Sequence, residues 1–333
     1  MTSPLPVSPS AVVARLRAAG CVFAEDEADL IISTARTAAD LAAMVDRRAA
    51  GLPLEHVLGW AEFCGLRVAV EPGVFVPRRR TEFLARQAAA LALRAAGAAP
   101  GLPGPVSALA GAAPGLPGPA PGSPRGASPR PPAVVVDLCC GSGAVGAALA
   151  AALDRAESQL PERAGPRDRT GFPASGASPA RIELHAVDID PAAVRCARRN
   201  LAAAGGLVYE GDLYAPLPAA LRGRVGLLVA STPYVPSEEI GLLPAEARVH
   251  EPRLALDGGA DGLDVVRRVA AEAPGWLAPG GSLLVETGRH QAERAAGILA
   301  RSGLVPEVAV SDELDATVVI GTAAPSGPGL PRP

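Results

Sequence analysis

From Ala133 onward, short apolar runs of strand character alternate with helical stretches: AVVVDL, RIELHAVDI, LVYEG, VGLLVAS and GSLLVETG, with helical segments between them. Five strands linked by helices read as parallel crossover units, whose helices must cover both faces of the sheet. Two further runs, EVAV and ATVVIG, are separated only by SDELD. So short a link predicts an antiparallel hairpin at the sheet edge. The expected fold is α/β, a doubly wound, mostly parallel seven-stranded sheet, with a small helical domain before it.

That N-terminal part shows three helical patterns, Ser10 to Ala19 after a Ser cap, Glu25 to Ala35 and Thr37 to Ala50, with Gly20 and Gly51 placed as C-terminal stops. Phe63 to Val76 holds apolar runs broken by Gly65 and Pro72, which predicts a small hairpin. Between Gly97 and Pro132 the chain is dominated by Gly and Pro, and GAAPGLPGP occurs at both 97–105 and 111–119. Such a segment cannot offset its ordering entropy by burying a core, so it is read as a flexible insert. The polar stretch Arg155 to Ala180 is read in the same way. The expected organisation is a helical domain over 1–60, a hairpin and connector over 61–81, an α/β domain over 82–322 with inserts at 97–132 and 155–180, and a disordered tail over 323–333.

Composition narrows the function. A chain of 333 residues has room for two or three domains, and its net charge of −3 excludes a strongly basic nucleic-acid surface as its main feature. No apolar run approaches the roughly 18 residues of a membrane span. The opening MTSPLPVSPS has neither a basic nor an apolar region, so no secretory signal is expected and the protein is read as cytoplasmic. Five cysteines, with Cys139 and Cys140 adjacent, show no disulfide or zinc spacing, and His56, His185, His250 and His290 show no metal-ligand pairing. No metal is expected. Of the histidines, His185 is read as a packing residue within a strand, and His250 either lines the substrate cleft or lies on a surface loop. Trp60 and Phe63 are read as domain-packing aromatics. Arg78, Arg79 and Arg80 form either a solvated loop or a contact for RNA or an acidic partner.

The strand AVVVDL runs into CCGSGAVGAALAAAL, a glycine turn followed by a helix, which is how α/β proteins bring backbone N–H groups against a polar ligand. The next strand ends in AVDID. Asp190, before Pro191, is placed to cap the following helix, whereas Asp188 is placed to accept from a pair of ribose hydroxyls. Removing the second insert brings Asp188 to about the 20-residue spacing from the turn seen in nucleotide-binding units. A third strand ends in GDLY, where Asp212 is positioned for an adenine amino group, and a fourth runs into Ser231, Thr232, Pro233 and Tyr234.

The order DLCCGSGAVG, AVDID, GDLY and polar-x-Pro-Tyr resembles a class I S-adenosylmethionine-dependent methyltransferase, with its Rossmann-like sheet. The flanking RRAAGLPLEHVLGWAEFCGL, PGVFVPRRRTE, HEPRLALDGGADGLDVVRRV and LLVETG resemble, in order, the HemK/PrmC family of protein glutamine N5-methyltransferases. The resemblance implies S-adenosylmethionine as cofactor, held by Asp137, Cys139, Gly141, Gly143, Asp188, Asp212 and Leu213. It implies a protein acceptor, the glutamine loop of a peptide chain release factor, handled by Ser231, Thr232, Pro233 and Tyr234. Direct binding of nucleic acid or a membrane is not expected. Two departures stand out. Cys139 replaces the first glycine of the turn, which a side chain tolerates if its φ stays negative. The family's Asn-Pro-Pro-Tyr reads Ser231-Thr232-Pro233-Tyr234, and the shorter Ser231 hydroxyl both donates and accepts. The alternatives are therefore a methyltransferase with another acceptor, small molecule or nucleic-acid amine, or a cofactor-binding protein without turnover.

Overall fold

The computed structural model describes residues 8–95, 133–158 and 182–325. The whole 97–132 insert, most of the second insert and the end of the tail lie outside them. The chain begins with α1 (Pro9–Ala18), α2 (Ala24–Thr34), α3 (Ala38–Ala49) and the short α4 (Leu54–Leu58). Ser8 and Thr37 cap α1 and α3 by accepting from the N–H groups of Ala11 and Asp40. Val12, Leu16, Ile31, Met44, Val45 and Val57 close a core shared by these four helices. α4 has no counterpart in the sequence reading, because five residues are too few to show helical periodicity.

The hairpin is β1 (Trp60–Phe63) and β2 (Leu66–Ala69), turning at Cys64 and Gly65 with φ of 51° and 73°. It starts earlier and ends sooner than the sequence reading placed it: Val74 and Val76 are buried in irregular chain and contribute no strand. Phe63 is fully buried and Trp60 lies under the Arg67 guanidinium at 4.2 Å, as packing aromatics do.

After α5 (Glu82–Ala95) come β3 (Val134–Leu138), α6 (Ala144–Ser158), β4 (Glu183–Asp188), α7 (Pro191–Leu201), β5 (Leu207–Glu210) and β6 (Val225–Ala230). Then follow α8 (Ala245–His250), α9 (Asp264–Trp276), β7 (Leu277–Thr287), α10 (Ala292–Arg301), β8 (Val305–Ser311) and β9 (Ala316–Thr322). The sheet order is β5-β4-β3-β6-β7-β9-β8; its first five strands are parallel, and β9 pairs antiparallel with both β7 and β8. The expected fold class and the edge hairpin are both present. Successive residues point to opposite faces. Val136, Leu228 and Leu283 pack toward α9 and α10, while Val135, Val229 and Leu284 pack toward α5 and α6. Burying each such side chain stabilises the sheet by about 1.5–3 kcal/mol.

One boundary needs correcting. Arg155 to Ser158, read as the start of the second insert, is the last turn of α6. Its polarity reflects a helix emerging into solvent. No helix among the described residues is long and apolar enough to cross a membrane.

Candidate active site

The carboxyl ends of β3, β4, β5 and β6 open into a cavity of about 510 Å³, within the range of small-molecule sites. Its floor includes the turn from Cys139 to Ser142. Gly141 and Gly143 are left-handed, with φ of 55° and 77°. So is Cys139, at φ 54°, against the expectation that a side chain there keeps φ negative. The strain of about 1–2 kcal/mol is accepted because neighbours fix the turn: the Cys140 N–H donates to the Val187 carbonyl and the Gly143 N–H to the Cys140 carbonyl. Burial, helped by Asp137 and Asp188, pushes both adjacent thiols up, so they are packing groups.

Asp188 accepts the Gly141 N–H at 2.8 Å on one oxygen and the Asp190 N–H at 2.9 Å on the other. Asp188 also lines the cavity, and burial raises its carboxyl despite these bonds. Asp190 caps α7 through Ala192, as its place before Pro191 predicts. Asp212 lies on the wall and is held at 2.6 Å by Arg268 of α9. Both partners are about half exposed, so the pair orients the carboxylate more than it stabilises the fold. Leu213, with φ 48°, and Ile189 add apolar wall.

Asp137 and Gly143 do not reach that wall. Asp137 is buried beneath the turn, where it accepts the Gly146 N–H at 3.1 Å, and burial raises its carboxyl to about 7. Gly143 serves packing: a Cβ there would stand 3.1 Å from the Ala197 backbone. Asn200 of α7 ties the turn to the hairpin by donating to the Ser142 and Ala69 carbonyls.

Ser231, Thr232, Pro233 and Tyr234 line the same cavity. Their loop leans on the segment from Leu256 to Gly262: the Val235 N–H donates to Leu256, and the Gly258 N–H donates back to Val235. Gln291, fully buried, donates to the carbonyls of Tyr234 and Asp261. The LDGGADG run is thus a brace whose glycines let two backbones touch. The cavity mouth is crossed by Arg78 and Arg80 and by α8. Arg78 pairs with the buried Glu251, which also accepts the Val76 N–H. His250 stands off the wall beside it, and His185 is a packed strand residue between Tyr209 and Glu183. Arg48 of α3 donates to Glu27 of α2 and to Glu246 of α8, so the helical bundle is ionically tied to the cavity mouth.

No protein-family model matches the chain. Among characterised proteins it is 33% identical over 262 residues to the release factor glutamine methyltransferase of Geobacter sulfurreducens, covering 78% of this chain and 69% of that one. With the proteins of the same name from Moorella thermoacetica and Mycolicibacterium smegmatis it shares 32% identity over 279 and 272 residues. Those matches cover 80% and 81% of this chain and 75% and 74% of the relatives. Among solved structures, a ribosomal protein L11 methylase from Lactobacillus delbrueckii subsp. bulgaricus aligns with 77% of this chain and 84% of its own, at 13% identity and a TM-score of 0.40.

Proposed function

The chain belongs to the release factor glutamine methyltransferase family, and we propose that it methylates the side-chain amide of a glutamine in a peptide chain release factor, using S-adenosylmethionine. The observation that carries this reading is the braced Ser231–Tyr234 loop lining one cavity with Asp188 and Asp212.

The cavity suits the cofactor's adenosine. Asp188 offers its carboxylate to ribose hydroxyls, Asp212 offers a carboxylate oxygen to the adenine amino group, and Ile189 with Leu213 supplies apolar contact for the ring. When bound, S-adenosylmethionine supplies a methyl group on a cationic sulfur, open to in-line displacement. The chain's task is to present the acceptor. An amide nitrogen is a poor nucleophile, its lone pair being delocalised into the carbonyl, so both N–H groups must be held and the nitrogen aimed. Ser231 Oγ and the backbone carbonyl of Thr232 accept those hydrogens, and Tyr234 closes the side of the slot. The helical bundle of α1–α4, tied to α8 through Arg48, is the surface that receives the protein substrate. A substrate of this kind places the reaction in the cytoplasm.

Replacing Asp188 by Ala is expected to weaken S-adenosylmethionine binding by roughly 1–3 kcal/mol, the scale of a lost hydrogen bond to a charged group. Calorimetry returning unchanged affinity would reject the ribose assignment.

Ser231→Asn, which lengthens the acceptor arm, is expected to raise single-turnover transfer to a release factor. A tenfold gain corresponds to about 1.4 kcal/mol of transition-state stabilisation. The double variant Ser231→Asn/Thr232→Pro also stiffens the backbone that carries the second acceptor. Mass spectrometry of the release factor locates the methyl group. No transfer by wild type or either variant, with cofactor affinity intact, would defeat the glutamine reading in favour of another acceptor or of binding without turnover.

A further inference from the structure

Both carboxylate oxygens of Glu286 are buried and lack a well-formed hydrogen bond. The residue is 1% exposed at the carboxyl end of β7. A leucine would fill the space without the cost of desolvating a polar group, so packing does not account for an acid here. Its surroundings do. Val285 pairs with Ala230, which sets Glu286 level with Ser231, the next residue along β6. On β9 the residue opposite is Val318. Thr81, Arg80 and Tyr234 line the cavity and Glu286 does not, so it stands behind the wall they form.

Burial lifts the Glu286 carboxyl to about 7, opposed by the Thr81 hydroxyl and the Arg80 guanidinium. Burial also lifts the Tyr234 phenol, with Glu286 adding to the rise and Arg80 and Arg78 opposing it. Arg80 and Tyr234 are the charged and titratable groups facing Glu286 among the described residues.

We propose that Glu286 is a positioning residue for methyl transfer: from behind the wall its negative charge draws in Arg80 and so sets where the Tyr234 side chain stands beside the acceptor. Ionised, Glu286 holds the arginine against the wall. Protonated, it draws Arg80 in less strongly, and the Tyr234 side chain is set less firmly although Arg80 still stands beside its hydroxyl. Glu286 touches neither cofactor nor acceptor, and its effect falls on turnover instead of binding. The rate readout rests on the glutamine methyltransferase reading above.

The test compares wild type with Glu286→Gln, which keeps the shape and removes the charge. Wild-type kcat on a release factor is expected to rise on the order of tenfold as pH passes through the titration of Glu286, a partial loss of alignment below it being enough for that factor. The Gln variant should stay at the low value throughout, with KM for the release factor and calorimetric affinity for S-adenosylmethionine unchanged. Glu286→Asp, which retains the charge, should keep the rise, and serves where the Gln variant does not fold. A second readout needs no turnover. The ionisation of Tyr234, followed by ultraviolet difference absorption and assigned by its loss in Tyr234→Phe, should move to lower pH in Glu286→Gln, because a negative neighbour has been removed. If wild type transfers no methyl group to the release factor, the functional reading fails and the phenol titration alone decides. A Gln variant with the wild-type pH profile, or a Tyr234 midpoint that does not move, would overturn the proposal.

Discussion

Gly262→Ala is expected to cut methyl transfer by on the order of 100-fold while leaving S-adenosylmethionine bound, since displacements of about 1 Å at a reacting centre have effects of that size. A Cβ on Gly262 would land 2.2 Å from the Tyr234 carbonyl oxygen and 2.3 Å from Gln291 Nε2, at a φ of 74°. The nearest of these is backbone, and the other is an amide fixed at both ends: Gln291 donates to two carbonyls and accepts the Gly288 N–H. Relief comes only by moving the acceptor loop or breaking the brace. Left-handed strain and the lost hydrogen bonds should also lower stability by roughly 2–4 kcal/mol. Gly280→Ala is the control. Its φ is 75°, but a Cβ there meets nothing within 4 Å, so it should lose stability without losing rate. Single-turnover kinetics with calorimetry on both variants decide the matter, and equal rates would show that the brace does not position the loop.

The second large effect is an inverted dependence of stability on pH. Asp137 and Glu286, both raised to about 7 by burial, hold protons in the native state that they give up near pH 4 when unfolded. Between those values the native state binds more protons than the unfolded chain. Stability from these two groups is therefore full below about pH 4 and is lost as pH rises to about 7, on the order of 3 kcal/mol each. Partly buried Asp257 and Asp261, lowered mainly by hydrogen bonds from Ser237 and Arg267, act in the opposite sense at more acidic pH. The optimum should thus be mildly acidic. Urea unfolding at about pH 5 and about pH 8 should show the drop, and Asp137→Asn and Glu286→Gln should each remove part of it. Stability that rises over this range would contradict the burial of these carboxyls as protonated acids.

The sheet was legible because its strands are continuous apolar runs ended by turn residues, and Asp188 and Asp190 were separable because Pro191 marks a helix start. What escaped depends on contacts distant in sequence. Arg268 reaches Asp212 across 56 residues and Gln291 reaches Tyr234 across 57, and neither carries a local signal. Cys139 misled because its φ is imposed by the bonds around it and not by its own preference. Glu286 did leave a trace: one acid closing the apolar run LLVE of a strand buried on both faces is a polar group in need of an explanation. Asp137, at the end of VVVDL, left the same trace; it was read as a cofactor contact, and it lies buried beneath the turn, accepting the Gly146 N–H.

The two long connections in the catalytic domain share one geometry. One joins α5 to the start of β3 at Val134 and the other joins α6 to the start of β4 at Glu183, so both leave and re-enter at the amino ends of parallel strands. The cavity occupies the carboxyl ends. Loop closure depends only weakly on length, so residues can be gained or lost at that edge with little effect on the fold. A tag, a label or a fused domain joined just before β3 or just before β4 therefore attaches at the ends of those strands remote from the cavity.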